Sequence, residues 1–406
     1  MTPSSSPPAS RLPSPGRTAA IVGVAQIFAW GGSYFLLGAL AAPIAAATGW
    51  PAAWVAGGLS LAMLVSGLVS PAVGRMIARI GGRKVLSGSA LLMAGALVVV
   101  AAAPGLPVYL AGWALLGVAM GAGLFDPAFA ALGRLYGEGA RPAITQMTLW
   151  AGVSSSICWP ITATLAETVG WRGTCLAYAA VALVVIWPLY HFGLPAEEVR
   201  PPAAPARAGN ASPDVMQRGA MRGRRLALGV YCATMTLSLV QVTVMSVELI
   251  PLFQSYELPL ATAVGLAAIF GPAQVGGRVV EMALGRRRHP VWTLILASAG
   301  SAVGLAMLPG APWVITIGMV VYGAACGIRS IARGTVPLTL VGQADYAAVM
   351  GRLALPMLVA QAVAPNLGTW LMDALGGPGL LGTMVALTLV NLALSVWLLV
   401  LAKRQA

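Results

Sequence analysis

The chain has 406 residues, of which 58% are hydrophobic and 9% are charged, and its formal net charge is +13. The apolar residues exceed what one soluble core of this size can bury and come in long runs, which excludes an ordinary soluble domain. The basic residues lie in short clusters between these runs, a pattern typical of membrane topology signals rather than of a phosphate-binding face. The sequence therefore predicts the lipid bilayer as a partner and no nucleic acid.

Twelve stretches are long and apolar enough to cross a bilayer, which takes about 20 residues per helix. They lie near residues 18–46, 52–73, 84–103, 108–133, 142–166, 173–193, 226–250, 260–284, 291–309, 313–341, 350–372 and 380–402. These spans, numbered one to twelve, predict an all-α membrane protein.

Polar stretches divide the spans into two groups of six. Residues 1–17 are rich in Ser and Pro and predict a disordered cytoplasmic tail, and residues 403–406 are a second short tail. Residues 194–225 are rich in Pro, Ala and charge, which is typical of a flexible linker. They separate an N-terminal six-helix bundle, residues 18–193, from a C-terminal bundle, residues 226–402.

The charged loops test this span count independently, because Lys and Arg accumulate on the cytoplasmic side of a membrane. With the N-terminus in the cytoplasm, the basic residues between spans fall on cytoplasmic loops, and Arg172 alone falls on an opposite loop. An error of one span would scramble this alternation. The pattern predicts twelve spans with both termini cytoplasmic, in a bacterial-type inner membrane.

A basic turn follows span two, where residues 74–84 hold four cations and three glycines. A similar turn recurs 203 residues later, with Gly277 and Arg278 at the places of Gly74 and Arg75. Shifts of 206 and 205 align three further pairs, namely Gly117 with Gly323, Gly121 with Gly327 and Pro160 with Pro365. These repeats indicate a duplicated six-helix unit.

The turn at residues 74–84 resembles the pattern Gly-x-x-x-Asp-Arg-x-Gly-Arg-Arg/Lys of the major facilitator superfamily, and the resemblance extends over all twelve spans. It implies a monomeric secondary transporter without a cofactor, whose two bundles rock around a site near the middle of the membrane. The gate motif implied by the resemblance comprises Gly74, Arg75, Arg79, Gly81 and Arg83 in the first copy and Gly277, Glu281 and Arg286 in the second.

The two copies of this motif differ at the acidic position. Ala78 stands where the family has its acid, and Gly82 stands where a basic residue is usual, whereas Glu281 supplies an acid in the second copy. The second copy is therefore predicted to be the intact gate. Glu281 is expected to pair with Arg141 across the cytoplasmic ends of spans eight and five.

Two finer resemblances concern the substrate. Residues 30–34 are similar to the entry region of monocarboxylate-type and oxalate/formate-type porters, in which an acid and an arginine occupy the places of Gln274 and Arg278. Residues 271–275 and 334–338 resemble a bacterial branch associated with efflux of arsenite and related metalloids. The implied substrates are thus an organic anion or a metalloid.

Ionisable groups inside the spans mark candidate sites, because a charge at the bilayer centre costs at least about 2.5–3.5 kcal/mol. Arg329, near the middle of span ten, is the first candidate for binding a carboxylate or oxyanion through its forked guanidinium. The alternative is structural, with Arg329 and Arg333 pairing with Asp126 to hold the bundles together. Arg278 is the second candidate, unless its side chain extends to the cytoplasmic surface.

Four uncharged side chains complete the predicted substrate path, namely Gln274, Trp30, Tyr34 and Tyr322. The aromatic members lie near mid-depth, where the alternative is that they only pack against neighbouring helices.

Two carboxyl groups are candidates for coupling transport to a proton gradient. Asp126 in span four could carry a proton at a local break in the helix, or it could form a permanent salt bridge with Arg329, Arg333 or Arg134. Glu248 in span seven could also carry a proton. Its alternative is a solvated residue at the extracellular mouth.

These residues predict a gradient-coupled carrier of a small polar or anionic solute, with protons moving with or against it. Efflux of arsenite or another toxic compound is the alternative in the same class, and a non-transporting membrane sensor or scaffold is the alternative in another class. The chain has no Gly-Lys-Ser/Thr nucleotide loop, and its four cysteines and two histidines lack the spacing of a metal site. No enzymatic activity, cofactor or metal is predicted.

Overall fold

The computed structural model describes residues 13–196, 215–284 and 289–403. Within these ranges the chain is helical, with a 3₁₀ turn at Gly137–Gly139 and a π-helical turn at Ala182–Ile186. The α-helices are α1 Pro15–Gly31, α2 Leu36–Thr48, α3 Ala52–Ile80, α4 Gly82–Ala102, α5 Leu106–Gly123, α6 Phe125–Tyr136, α7 Ala140–Gly152, α8 Ser154–Val181, α9 Trp187–Gly193, α10 Val215–Ser255, α11 Leu260–Ala268, α12 Phe270–Leu284, α13 Pro290–Ala306 and α14 Pro312–Lys403.

These helices correspond to the predicted spans once their breaks are considered. Spans one, four and eight each consist of two helices, namely α1 with α2, α5 with α6, and α11 with α12, and span five consists of α7 and the first part of α8. Gly170 divides α8, and Gly342 and Gly376 divide α14, each with a positive φ near 70° that a glycine adopts without strain. Eight described segments are long and apolar enough to cross a membrane, and α13 is a shorter apolar helix. The three glycines subdivide the longest of these segments, and the count of twelve spans stays a prediction.

The turn glycines repeat with the same offset as the sequence. Gly137 and Gly342, 205 residues apart, both have positive φ at the turns after spans four and ten. Gly170 and Gly376, 206 residues apart, do the same after spans five and eleven. Equivalent turns in the two halves therefore both need a glycine with positive φ, which supports the duplication of a six-helix unit.

Close helix packing repeats as well. A Cβ added to Gly117 of α5 would lie 2.5 Å from the carbonyl oxygen of Ala62 in α3, and one added to Gly323 of α14 would lie 2.9 Å from that of Phe270 in α12. Small residues let helix backbones approach in an apolar solvent, where dispersion contacts drive association. Spans two and four thus pack as spans eight and ten do.

The boundaries of the polar segments differ from the prediction. Helix α1 begins at Pro15, inside the predicted tail, and α10 begins at Val215, inside the predicted linker 194–225. The start of α10 contains Met, Gln, Arg and Ala, which are good helix formers and extend the following apolar helix. The rest of the predicted linker, residues 197–214, and most of both tails lie outside the described residues.

The two bundles meet along α3, α6 and α7 on one side and α12 and α14 on the other. A Cβ on Gly74 would lie 2.5 Å from the carbonyl oxygen of Ala347 and 2.9 Å from Gly351 Cα. Nearer mid-depth, Gly67 faces Leu358 in the same way. We call the end of the molecule that carries Arg75, Arg79, Arg134, Arg141 and Arg352 the basic end. The backbone contacts between bundles lie in the half that leads to this end.

Candidate functional site

Arg278 lies on α12 with its guanidinium buried, and the residue is 6% exposed. Its Nε donates to Ser330 Oγ at 3.0 Å, and its Nη2 donates to Gln274 Oε1 at 3.1 Å, one helical turn away. Its Nη1 is buried and has no hydrogen-bond partner among the described residues. Gln274 and Arg278 are therefore in contact, and the alternative in which Arg278 extends to the surface is not seen.

The free nitrogen of Arg278 points to the other bundle. A Cβ added to Gly152 would overlap Arg278 Nη1, so a side chain there would displace the guanidinium. Gly152 ends α7, and Val153 after it has φ −90° and ψ 0°, which interrupts span five. Arg278 thus occupies the boundary between the bundles, beside a break in the facing helix.

Arg329 points elsewhere. It is 5% exposed, and its Nη1 donates to Ser301 Oγ on α13 at 3.2 Å, while its Nη2 contacts Cys326 Sγ at 2.8 Å. The guanidinium is therefore held inside the C-terminal bundle rather than directed at the N-terminal one. Neither Arg278 nor Arg329 has a carboxylate within ion-pair distance in the part of the chain that the structure describes.

Aromatic rings from the N-terminal bundle form a wall at mid-depth. The ring centroid of Trp30 lies 5.3 Å from that of Tyr34, 5.9 Å from Phe35 and 4.7 Å from Phe125. Phe35 in turn meets the ring of Trp159 edge-on at 6.3 Å. These contacts place Trp30 and Tyr34 at the break between α1 and α2, where span one is interrupted.

Gln26 organises this wall and was missed from the sequence. It is fully buried, accepts from Trp30 Nε1 at 3.0 Å, and donates to Tyr190 Oη at 3.0 Å and to the Gly123 carbonyl at 2.6 Å. The Gly123 carbonyl is left free by the break between α5 and α6, where Leu124 is extended. The sequence did hold a signal for Gln26, because it is an amide side chain within the apolar residues of span one. A buried amide needs hydrogen-bond partners, and these fix the position of neighbouring side chains.

Two further glutamines, Gln361 and Gln241, each lie beside a tyrosine near the middle of the membrane. Tyr34 lies close to the side chain of Gln361 on α14, across the boundary between the bundles. Gln241 Nε2 donates to Tyr322 Oη at 2.9 Å, and Tyr322 stacks on Phe270 at 5.3 Å. The Oε1 atom of Gln241 is buried without a partner among the described residues. Tyr322 thus lies within the C-terminal bundle, and Tyr34 lies at the boundary.

Glu248 is buried rather than solvated, with 4% exposure. It accepts a hydrogen bond from Thr369 Oγ1 at 2.7 Å, between α10 and α14. Within the described residues no cation lies at ion-pair distance. This carboxyl group therefore has a neutral partner in an apolar setting.

Asp126 forms the salt bridge that the sequence left as its alternative, and the partner is Arg333. Arg333 Nε and Nη2 donate to the two carboxylate oxygens at 2.9 and 2.6 Å. Asp126 lies in the first turn of α6, directly after the break at Leu124. The bond joins the two bundles beside a cavity of about 10 Å³ that is lined in part by Ser70 and Gly351.

The model of the Major Facilitator Superfamily matches residues 22–301, more than half of the chain. The chain belongs to the major facilitator superfamily. It is accordingly a multi-pass membrane transporter and not an enzyme. No curated protein matched the chain.

Solved transporter structures share its fold. The outward conformation of FucP, a major facilitator superfamily transporter, matches with a TM-score of 0.70 at 13% identity, over 96% of this chain and 98% of FucP. The human organic anion transporter MFSD10 matches with a TM-score of 0.67 at 17% identity, over 94% of this chain and all of MFSD10. The proton:xylose symporter XylE matches with a TM-score of 0.66 at 14% identity, over 93% of this chain and 94% of XylE.

The first copy of the superfamily gate motif lacks its acid, and a backbone atom takes that place. Arg134 Nη1 donates to the carbonyl oxygen of Ala78, the residue at the acidic position. Gly81, with φ 90°, forms the turn between α3 and α4, where a side chain would be strained. The side chains of Arg75 and Arg79 are exposed.

The second copy carries the predicted ion pair. Arg141 Nη2 lies 3.4 Å from Glu281 Oε1, and Thr293 Oγ1 donates to the same oxygen at 2.7 Å. A Cβ on Gly277 would overlap the backbone of Ala324, so this motif glycine packs within its own bundle. Arg286 lies outside the described residues.

Proposed function

We propose that this protein is a secondary active transporter of a small organic or inorganic anion, which binds between the two bundles at Arg278. The observation that carries the proposal is the buried Nη1 of Arg278, which faces Gly152 of the other bundle without a partner. An unsatisfied cationic donor in the membrane costs several kcal/mol by order of magnitude, and a bound carboxylate or oxyanion would offset that cost.

The surrounding charges favour an anion as well. Arg329 adds a second buried cation to the same bundle, and Cys326 experiences the charge of both arginines. The charge of Arg333 is neutralised by Asp126, but those of Arg278 and Arg329 have no such partner among the described residues. An anionic solute would supply the missing negative charge, and Gln274 would keep the Arg278 fork oriented toward it.

The bundles are in contact at the basic end, and this determines the end from which a solute would reach Arg278. The bundles pack together on the basic side of Arg278, through Gly74 with Gly351 and Asp126 with Arg333. A solute would therefore enter from the opposite end. With the basic end in the cytoplasm, as the charge pattern predicts, this is an outward-facing state of an alternating-access cycle.

Glu248 supports coupling to protons. It is a buried carboxyl group that pairs with a neutral hydroxyl, so it can gain or lose a proton without breaking an ion pair. Asp126, by contrast, is occupied by Arg333 and is assigned to holding the basic end closed. Glu248 is thus the proposed proton carrier.

The test uses purified protein and a panel of candidate solutes, namely acetate, lactate, oxalate, phosphate, arsenite and the neutral sugar fucose. Thermal stabilisation would identify the ligand, and uptake into proteoliposomes under a proton gradient would measure transport. Arg278→Gln should weaken binding of that anion about tenfold or more, since a charged hydrogen bond contributes about 1.5–3 kcal/mol. Arg329→Gln should have the smaller effect, because its donors already have partners.

The matched control is Arg352→Gln, which removes an exposed arginine whose one hydrogen bond among the described residues goes to a backbone carbonyl. It should leave binding unchanged. Transport of fucose but of no anion, or normal anion affinity in Arg278→Gln, would overturn the proposal.

A further inference from the structure

A groove at the basic end lies apart from the transport site. It has a volume of about 250 Å³ and is lined by the end of α3, the start of α4 and the end of α9, through Ile80, Gly81, Arg83, Lys84, His191 and Ala196. Three of these six residues are basic or can become cationic, and none of them is acidic. The groove therefore offers a positive surface on the outside of the N-terminal bundle.

The cationic side chains are available to a ligand. Arg83 and Lys84 have no hydrogen bond or ion pair within the described residues. His191 is held in place by stacking on Trp187, with ring centroids 4.9 Å apart and planes 16° apart. Its ring nitrogens have no hydrogen-bond partner among the described residues. Two long flexible cations and one fixed imidazole are a suitable set of donors for a phosphate group.

The residues around the groove are apolar and exposed. Phe192, next to His191, is 73% exposed. On α3, Met76 is 47% and Ile80 is 38% exposed. Side chains like these at the end of membrane spans face lipid chains, since a water-exposed patch of this kind is unfavourable. The ligand thus needs an anionic head and an adjoining hydrocarbon part.

We propose that this groove binds the headgroup of an anionic phospholipid. The phosphate would contact Arg83, Lys84 and His191, and the acyl chains would lie over the apolar residues of α3 and α9. Basic pockets between transmembrane helices at one membrane face bind such headgroups. Because α3 also carries Gly74, which packs on Gly351, a lipid bound here would steady the helix that closes the basic end.

The experiment measures lipid retained by the purified full-length transporter, using native mass spectrometry after reconstitution with equal phosphatidylglycerol and phosphatidylcholine. The wild type should retain phosphatidylglycerol preferentially. In the double variant R83Q/K84Q its apparent affinity should fall about fivefold for each cation removed. His191→Gln should give a smaller loss, and it tests the groove even if the double variant folds poorly.

The matched control is R225Q/R352Q, which removes two exposed cations from the basic end of the other bundle. It should keep the wild-type preference. Equal retention of the two lipids, or an equal loss in the control and the groove variant, would overturn the proposal. So would inorganic phosphate that stabilises the protein as strongly as phosphatidylglycerol does at equal concentration, because the site would then bind a free anion.

Discussion

Asp126 of α6 and Arg333 of α14 form a two-pronged ion pair that joins the bundles. Its side chains are 9% and 11% exposed, so it is more buried than the Arg141–Glu281 and Arg224–Asp345 pairs. In the C-terminal bundle, Tyr231 Oη donates to the backbone carbonyl of Arg333 at 2.8 Å and so fixes the arginine's position. The bundles cannot separate at the basic end unless this pair breaks.

Asp126→Asn should therefore destabilise the closed basic end. It leaves the charge of Arg333 buried without a counter-ion, and removing one member of a buried pair costs about 3–5 kcal/mol. The melting temperature should fall, and a cysteine placed at Ala347, which is buried against Gly74, should react faster with a maleimide.

The control for this variant is Asp345→Asn, which breaks the exposed pair with Arg224 and should change stability by no more than about 1 kcal/mol. The double variant D126N/R333Q should be less destabilised than the sum of its single variants, since it removes both charges. Additive losses would contradict a coupled pair.

The partner of Asp126 shows where sequence reasoning stops. The sequence leaves Arg134, Arg329 and Arg333 open as partners of Asp126. Helix rotation decides among them: Arg329 turns toward Ser301, and Arg134 bonds a backbone carbonyl. Rotation depends on packing across the whole bundle, which a single sequence does not specify.

The internal repeat, by contrast, was readable from residues alone. Its offset placed Glu281 at the position of Ala78 and predicted the pair with Arg141, and the structure has that pair. The breaks in spans one, four and eight were harder to foresee. Pro127 follows the break in span four, and Gly271-Pro272 follows the break in span eight, so both breaks had a local signal. The break in span one begins at Gly32 and lies beside packed aromatic rings.

Two variants test whether the second copy of the motif, with Glu281, forms the gate. Glu281→Gln should slow the transport cycle several-fold, because it removes a partly buried cross-bundle pair of the closed basic end. Ala78→Asp should have little effect, because Arg134 already bonds the carbonyl at that position. The turnover of both variants is measured in proteoliposomes at saturating substrate. A larger effect of Ala78→Asp than of Glu281→Gln would mean that the first copy of the motif forms the gate.

The contact between Gly74 and Gly351 predicts the effect of one methyl group. Gly74→Ala places its Cβ 2.5 Å from a backbone oxygen, which cannot turn away as a side chain could. The basic end should then fail to close, and maleimide labelling at the Ala347→Cys position should increase. Gly88→Ala on α4 is the matched control, since nothing lies within 4 Å of its added Cβ. Equal labelling in the two variants would show that the contact does not control closure.

His289, at the basic end before α13, predicts a pH dependence. Partial burial, and then the charge of Arg141, lower its pKa below 6.5, and its Nδ1 accepts from the Val291 amide. The unfolded chain therefore binds this proton more readily than the folded one. The stability that His289 contributes is complete above pH 6.5 and is lost as the pH falls through its lower folded value. The melting temperature should drop less between pH 7.5 and 5.5 in His289→Gln than in the wild type, and identical drops would contradict the shift.

A substitution at Glu248 distinguishes anion binding from the coupling of transport to protons. In Glu248→Gln the amide can still accept from Thr369 Oγ1, so the fold and the anion site at Arg278 should remain intact. The variant cannot carry a proton, however. It should bind the anion and exchange it across proteoliposomes at the wild-type rate, yet fail to accumulate it when a proton gradient is imposed. Asp373→Asn, which neutralises an exposed carboxylate near the same end, should accumulate the anion normally. Full accumulation by Glu248→Gln would assign the proton to another group, and loss of exchange together with accumulation would give Glu248 a structural role instead.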